Sequence, residues 1–177
     1  MLSPDDVAVL SRRLKKLPLV SGTGVKVSYD RHVVERLLPH RGPMLLVDGI
    51  DAVDLDARAV RGFRRLEADD PGFNGHFPGD PVYPGVLVVE AIGQLGLTLL
   101  HFDAAGNTGV PEEVPPRRVR AVHIHRATFL APFVPGDTMT LHAQVVDGDD
   151  VTMVAAGQAW NRGTLAAFAV SEVYLDE

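Results

Sequence analysis

The sequence predicts an α+β domain in which an antiparallel sheet wraps around one long central helix. Three observations lead to this prediction. The segment from about Pro84 to Leu100 is apolar on nearly every side, which is typical of a buried helix. Strand-like segments lie both before and after this helix in the chain. Short turns separate the strands that follow it, which favours antiparallel pairing around the helix.

Ahead of this domain, residues 1–28 are predicted to form an N-terminal extension, and residues 29–177 the domain itself. Ser3 has the features of an N-cap, apolar residues then recur at helical spacing, and Pro18 ends the pattern. This amphipathic helix is expected to pack on the domain, with a partner or a membrane surface as the alternative. Asp30 is expected to cap a second, short helix.

The strands are identified by apolar and β-branched residues bounded by turn residues. Residues 103–116 are rich in Gly, Pro and acidic residues, which favours a flexible excursion. The predicted strands, in chain order, are residues 44–53, 57–66, 118–130, 138–146, 151–160 and 164–175.

Composition limits what the protein can do. Of its 177 residues, 46% are hydrophobic and 23% are charged, as in ordinary globular domains. The absence of cysteine excludes disulfides and thiolate chemistry. A formal net charge of −6 argues against general nucleic-acid binding. No secretory signal is evident, and no apolar run free of charges reaches the ~18–20 residues of a membrane span. We therefore expect a cytoplasmic protein.

One carboxylate stands out in the central helix. Between Pro81 and His101 the sequence contains a single Asp, Glu, Lys or Arg, which is Glu90. A buried carboxyl group must be neutral, paired or placed at a cavity. Val86 and Gln94 lie one turn before and after it, on the same helical face. Glu90 is therefore a candidate catalytic group, and the alternative is a buried acid bonded to backbone.

A histidine precedes this helix in a loop rich in Gly and Pro. His76 lies fourteen residues before Glu90, and the helix start at Gly85 offers free N–H groups and the positive end of the helix dipole. Together these groups are suited to moving a proton α to a carbonyl and stabilising the enolate. The alternative for His76 is a hydrogen bond that anchors its loop.

No metal site is expected. His123 and His125 lie two residues apart on a predicted strand, which is a suitable spacing for two ligands on one face. No third ligand is evident nearby, so a structural role or a place in a pocket wall is favoured.

Four stretches resemble the β-hydroxyacyl-acyl-carrier-protein dehydratases of fatty-acid synthesis, which have the hot-dog fold. They occur in that family's order and close to its spacing, and the resemblance extends over roughly residues 29–175. The four stretches are 37–48 (LLPHRGPMLLVD), 73–79 (FNGHFPG), 84–94 (PGVLVVEAIGQ) and 132–137 (PFVPGD).

The resemblance implies dehydration of a β-hydroxyacyl thioester to a trans-2-enoyl thioester, without metal or cofactor. It implies that His76 takes the α-proton and that Glu90, supplied by the other subunit of a dimer, protonates the departing hydroxyl. The Gly85 N–H would hold the thioester oxygen, and Gln94 would support the carboxylate. The substrate would be carried by an acyl carrier protein or coenzyme A, and the oligomer would be a dimer or a trimer of dimers.

The sequence also departs from the family pattern. Residues 79–82 resemble the branch that also isomerises the double bond, whereas Glu90 resembles the branch that only dehydrates. Tyr83 replaces a usual Met beside the pocket and is expected to influence which acyl chain fits. The motif residues His40 and Arg41 are interpreted as mainly structural.

Carrier recognition is a further departure. Thr128, Leu130 and Ala131 replace commonly basic positions where an acidic carrier protein would dock. Basic residues elsewhere are expected to substitute for them. The candidates are Arg117, Arg118, Arg120, Arg126 and the N-terminal Arg/Lys cluster. These departures favour a specialised pathway, such as polyketide or unusual-lipid synthesis.

Three alternatives to a simple dehydratase remain open from the sequence. They are a dehydratase/isomerase, a thioesterase on the same fold, and a non-catalytic acyl-binding subunit. Retention of both His76 and Glu90 argues against the last of these.

Overall fold

The computed structural model describes residues 2–20, 24–115, 119–149 and 151–175, and these contain three α-helices, two short 3-10 turns and seven strands. The helices are α1 (Pro4–Leu14), α2 (Arg31–Leu37) and α3 (Gly85–Ala105). The strands are β1 (Val25–Tyr29), β2 (Gly49–Asp54), β3 (Ala59–Arg65), β4 (Val119–Phe129), β5 (Thr138–Gly148), β6 (Thr152–Asn161) and β7 (Thr164–Leu175).

The strands form one antiparallel sheet in the order β1-β2-β3-β5-β6-β7-β4. β4 directly follows α3 in the chain, yet it lies at the edge of the sheet beside β7. The chain therefore crosses the sheet between β3 and β4, and α3 makes this crossing over one face. The predicted α+β fold, with an antiparallel sheet around a long central helix, is confirmed.

The core of the domain lies between α3 and the sheet. Ala91, Leu95, Leu99 and Phe102 of α3 are fully buried and pack with side chains from the strands. The helix has 21 residues and a mean hydropathy of 1.6, so length and composition alone would allow it to cross a membrane. Its burial against β3, β5 and β6 identifies it instead as the core helix.

The opposite face of the sheet is covered by α1. Ser3 caps this helix as predicted, because its hydroxyl accepts a hydrogen bond from the Asp6 N–H. Leu14 and Leu19 bury against Phe168 and neighbouring residues of β6 and β7. The amphipathic helix thus packs on the domain. The division of the chain at residues 28 and 29 stays a prediction.

Gln158 of β6 fixes the end of α1 to the sheet. Its side chain is fully buried, and Oε1 accepts a hydrogen bond from the Leu19 N–H at 2.9 Å. Its Nε2 donates to the carbonyl oxygens of Leu14 at 2.6 Å and Leu17 at 2.9 Å. These bonds occupy backbone groups that a helix end leaves without intrahelical partners.

Two predicted boundaries are wrong. The strand predicted over 44–53 begins only at Gly49, because Gly42–Met44 forms a 3-10 turn and the Leu46 N–H bonds to the Gln94 side chain. The central helix continues past Leu100 to Ala105 and ends at Gly106, which adopts the left-handed conformation with φ 64°.

The first residues of the predicted 103–116 excursion are therefore helical, and later ones contact the domain. The Tyr29 hydroxyl donates a hydrogen bond to the Thr108 carbonyl at 2.5 Å. The Arg36 guanidinium donates to the Pro111 carbonyl at 2.8 Å. Val110 and Val114 pack against the core.

A buried histidine also holds the N-terminal segment. The Nδ1 atom of His142, on β5, accepts a hydrogen bond from the Val20 N–H at 3.2 Å, so this nitrogen carries no proton. The pKa of His142 is lowered to about 4, chiefly by burial and also by nearby Arg61, while Asp51 opposes the shift. The imidazole is therefore neutral in the folded protein near neutral pH.

His142 should make folding sensitive to acid. The unfolded chain binds a proton at this residue below about pH 6.5, whereas the folded chain does so only near its own lower pKa of about 4. Stability from this group is therefore present above pH 6.5 and lost as the pH falls toward 4. We expect His142 to reduce the free energy of unfolding by about 2 kcal/mol between pH 7 and pH 5.

Urea unfolding of the wild type and of His142→Asn at pH 7, 6 and 5 measures this contribution. The Asn side chain retains an acceptor for the Val20 N–H but does not titrate. The stability difference between the two proteins should shrink as the pH falls. His32→Asn, at an exposed position of α2, is the matched control. Parallel stability curves for wild type and His142→Asn would contradict the prediction.

Candidate active site

The candidate site is built around the N-terminal half of α3. The helix begins at Gly85, directly after Pro84, and no side chain caps it. No described residue accepts a hydrogen bond from the N–H groups of Gly85 or Val86. A Cβ at position 85 would lie 2.8 Å from the Phe129 ring, so glycine lets β4 approach this helix start closely. The helix start thus presents free donors at a surface.

His76 is held by the loop that leads into α3. Its Nδ1 lies 2.7 Å from the Val82 carbonyl oxygen, which can only accept, so Nδ1 carries the proton and donates. The Val82 N–H donates in turn to the His76 carbonyl at 2.8 Å. In the neutral ring Nε2 is therefore unprotonated and is the nitrogen available as a base. The hydrogen bond from His76 to Val82 therefore anchors the loop and also selects the tautomer in which Nε2 can act as a base.

His76, Gly85 and Val86 line one cavity of about 530 Å³. The rest of its wall is largely apolar, and much of it comes from the end of β4 and the segment after it, including Phe129 and Leu130. Val86 is 75% exposed and Phe129 is 52% exposed. The histidine base and the free N–H groups therefore face the same apolar space, which is open to solvent in a single chain.

Tyr83 contributes to the wall of this cavity, but most of its side chain is in the core. Only 3% of the residue is exposed, and its ring packs edge-on against Phe73 at 5.3 Å. The hydroxyl lies in the surroundings of Arg64 and Asp70, and burial raises its pKa, with Asp70 adding to the effect. An influence of Tyr83 on the acyl chain stays a prediction.

Glu90 lies one turn further along α3 than Val86, next to the loop before β2. Gln94 donates from Nε2 to Glu90 Oε1 at 2.8 Å and to the Met44 carbonyl at 2.8 Å. The Oε1 atom of Gln94 accepts from the Leu46 N–H, also at 2.8 Å. Gln94 is 1% exposed, so this network anchors the loop to α3 from inside the core and holds one oxygen of Glu90.

Glu90, Gln94 and His40 line a second cavity of about 510 Å³. Small residues of α3 and the sheet, among them Gly96, Ala143 and Ala155, form much of its wall. The side chain of Glu90 remains 41% exposed. The carboxyl group thus faces an open space bounded by small apolar residues.

The predicted site residues therefore fall into two groups. His76, Tyr83, Gly85 and Val86 share one cavity, whereas Glu90 and Gln94 share the other with no residue in common. Within one chain the structure does not bring His76 and Glu90 together. This arrangement is compatible with a site that combines the histidine of one chain with the carboxylate of another.

The sequence did not predict the contact between His40 and Glu90. The Nε2 atom of His40 lies 3.5 Å from Glu90 Oε1. Arg41 is structural as interpreted, because its guanidinium donates to the carbonyls of Leu38 at 2.6 Å and of His40 itself at 2.7 Å. The one available signal was that His40 falls in a motif shared with the family, but nothing in its spacing relates it to Glu90.

His123 and His125 form no metal site with other described residues. Their rings stack at 4.3 Å, and His125 Nε2 lies 2.9 Å from a carboxylate oxygen of Glu172 on β7. Both members of the His125–Glu172 pair are largely buried. This pair joins β4 to β7, in keeping with the structural role that the sequence favoured.

Comparisons with known proteins reveal relatives of this chain. A family model described as a FabA-like domain matches residues 38–169. The 3-hydroxyacyl-[acyl-carrier-protein] dehydratase FabZ of Aliarcobacter butzleri is 35% identical over 138 residues, covering 77% of this chain and 90% of that protein. The protein of the same name from an Anaeromyxobacter species is 41% identical over 117 residues, covering 66% and 71%.

Solved structures show the same fold. The dehydratase heterocomplex ApeI:P from Xenorhabdus doucetiae has a TM-score of 0.63 at 16% identity, covering 81% of this chain and 91% of that one. The E. coli PaaI protein from the phenylacetic acid degradation operon has a TM-score of 0.52 at 17% identity, with coverages of 72% and 78%. These similarities are to the fold alone, and they confirm the hot-dog architecture.

The Gln94 network should contribute measurably to stability. Changing Gln94 to Leu would leave the buried Leu46 N–H and the partly buried Met44 carbonyl without their partner. We expect the free energy of unfolding to fall by about 2–4 kcal/mol, since each unsatisfied buried polar group costs about 1–3 kcal/mol. Urea unfolding measures the loss.

Gln144→Leu is the matched control for this variant. Gln144 is also buried, but its side chain donates one hydrogen bond, to the Ala57 carbonyl, and its Oε1 has no partner among the described residues. The free energy of unfolding should fall about half as much in Gln144→Leu as in Gln94→Leu. Equal losses in the two variants would argue against a special role for Gln94.

Proposed function

Because the chain belongs to the FabA-like family, we propose that it dehydrates β-hydroxyacyl thioesters to trans-2-enoyl thioesters in fatty-acid or related lipid synthesis. The observation that carries the proposal is that His76, with Nε2 unprotonated, lines the same apolar cavity as the free N–H groups of Gly85 and Val86. A base and an oxyanion site in the same space are the two groups that proton abstraction α to a thioester carbonyl requires.

The proposed reaction transfers protons only. His76 Nε2 removes the α-proton while the Gly85 N–H, aided by the helix dipole, stabilises the negative charge on the thioester oxygen. The electron pair then forms the α–β double bond as the β C–O bond breaks. Glu90 supplies the proton with which the hydroxyl leaves as water. Return of a proton from the imidazolium to the carboxylate restores both groups, so no redox cofactor is required.

We infer that Glu90 comes from a second copy of the chain. In a single chain the cavities of His76 and Glu90 have no lining residue in common, so a complete site needs a partner. β4 is an edge strand with an apolar surface, since Val122 is 60% exposed and Ile124 is 54% exposed. Unpaired apolar edges are usually covered in native proteins. Pairing along β4 would cover this surface in a dimer, or in a trimer of dimers.

We further propose that an acyl carrier protein delivers the substrate. The names of the two relatives described above include the acyl carrier protein. Arg126, exposed on β4, lies two residues from Thr128 and near Phe129 and Leu130 at the His76 cavity. It is the best placed of the basic residues suggested above. Arg117 and Arg118 lie outside the described residues. A cytoplasmic location remains a prediction from the sequence.

The function is tested with a panel of β-hydroxyacyl thioesters on both acyl carrier protein and coenzyme A, with products identified by mass spectrometry. We expect His76→Ala and Glu90→Gln each to lower kcat by about 10²–10⁴-fold with the fold intact, because each removes a proton-transfer group. His32→Ala, on the surface of α2, should be unaffected. Normal turnover by folded His76→Ala would contradict the proposal, and release of free thiol would indicate a thioesterase.

Complementation tests the shared site. His76→Ala and Glu90→Gln chains are mixed by co-expression, and each type alone is inactive. Random pairing makes half of the dimers mixed, and each mixed dimer has one site with both wild-type groups. Activity should therefore recover to about a quarter of the wild-type value, given a two-fold dimer. No recovery, with mixed dimers demonstrated by differential tags, would place both groups in one chain.

A further inference from the structure

We propose that His40 is a positioning residue for Glu90, and that it holds one carboxyl oxygen so that the acidic proton sits on the other. This inference rests on the proposed dehydration and adds a residue to its machinery. His40 and Glu90 belong to the same chain and line the same cavity. In the proposed dimer both would therefore face the His76 of the partner together.

The loop that carries His40 is fixed on both sides of the residue. Arg41 donates hydrogen bonds to the carbonyls of Leu38 and His40. Gln94 holds the same loop at Met44 and Leu46 from within the core. The imidazole is thus presented to Glu90 by a backbone anchored at both ends, and its side chain is only 24% exposed.

Burial selects the tautomer of this imidazole. Its Nδ1 is buried and has no hydrogen-bond partner among the described residues. A proton on Nδ1 would leave a buried N–H without an acceptor, whereas a proton on Nε2 faces the Glu90 carboxyl group. The proton of a neutral ring therefore belongs on Nε2, which lies 3.5 Å from Glu90 Oε1. This contact can shorten when substrate closes the cavity, as catalytic contacts often do.

Both neighbours of the carboxyl group point at the same oxygen. Gln94 donates to Oε1 at 2.8 Å, and the Nε2 of His40 faces Oε1 as well. An oxygen that faces two N–H donors is a poor place for the acidic proton, because a hydroxyl group there would point its own proton at them. The proton of the acid form is consequently on Oε2. Glu90 then presents an oriented O–H to the leaving hydroxyl. Little rotational entropy of the carboxyl group has to be given up in the reaction, because the group is already held in place.

The experiment compares His40→Leu, which removes the donor, with His40→Gln, whose amide nitrogen can occupy a place similar to that of Nε2. We expect His40→Leu to lower kcat by about 10- to 100-fold, because the proton donor is misaligned. KM should change little. His40→Gln should recover most of the lost rate. His32→Leu removes an exposed imidazole from the neighbouring helix α2 and should leave both constants unchanged.

A double-mutant comparison separates positioning from general damage. In the Glu90→Gln background the acid is already absent, so adding His40→Leu should lower the residual rate little further. A merely structural role would lower the rates in both backgrounds alike, and this result would overturn the inference. Normal kcat in folded His40→Leu would also overturn it. If the wild type dehydrates no β-hydroxyacyl thioester at all, the proposed function itself fails.

Discussion

The burial of α3 is the constraint on which the rest of the structure depends. Leu95, Leu99 and Phe102 have no exposed surface, and burying a side chain of this kind stabilises the fold by about 1.5–3 kcal/mol. An apolar helix of this length needs cover on most sides, and the crossing between β3 and β4 supplies it by laying the helix over the sheet. Any polar group on the helix must then be satisfied within the protein or open to a cavity.

The polar groups of α3 follow this rule in different ways. Gln94, in the core, uses both ends of its amide to bind a loop that has no strand partner there. Glu90, one turn earlier, has one oxygen bonded to Gln94 and remains partly exposed in a cavity. The helix start presents unbonded N–H groups beside His76. Structural and candidate catalytic groups are thus parts of one arrangement, and Gln94 belongs to both.

The sequence predicted those features that depend on local pattern. The i, i+4 relation between Glu90 and Gln94, the caps at Ser3 and Asp30, and the strands after α3 all follow from spacing and residue type. The segment around Leu46 misled the strand prediction, because its apolar residues resemble a strand while its backbone bonds to a distant side chain. The pattern of apolar residues reports burial, and it does not report the partner of a backbone group.

The features that could not be predicted depend on contacts distant in the sequence. His40 lies fifty residues before Glu90, and its approach follows from the loop that Gln94 and Arg41 hold. Tyr83 lines the His76 cavity, and its packing against Phe73, which the sequence could not reveal, directs most of its ring into the core.

On each face of the sheet, one buried glutamine side chain anchors a neighbouring backbone segment. Gln94 joins the loop before β2 to the inner side, and Gln158 joins the end of α1 to the outer side. Each buried amide satisfies backbone groups of a segment that lacks a strand partner. On the inner side the same amide also reaches a carboxylate at a cavity, and on the outer side it does not. The two glutamines bind backbone groups in the same way, but only Gln94 lies at an open cavity. This difference makes Gln94 part of a candidate site and Gln158 a structural residue.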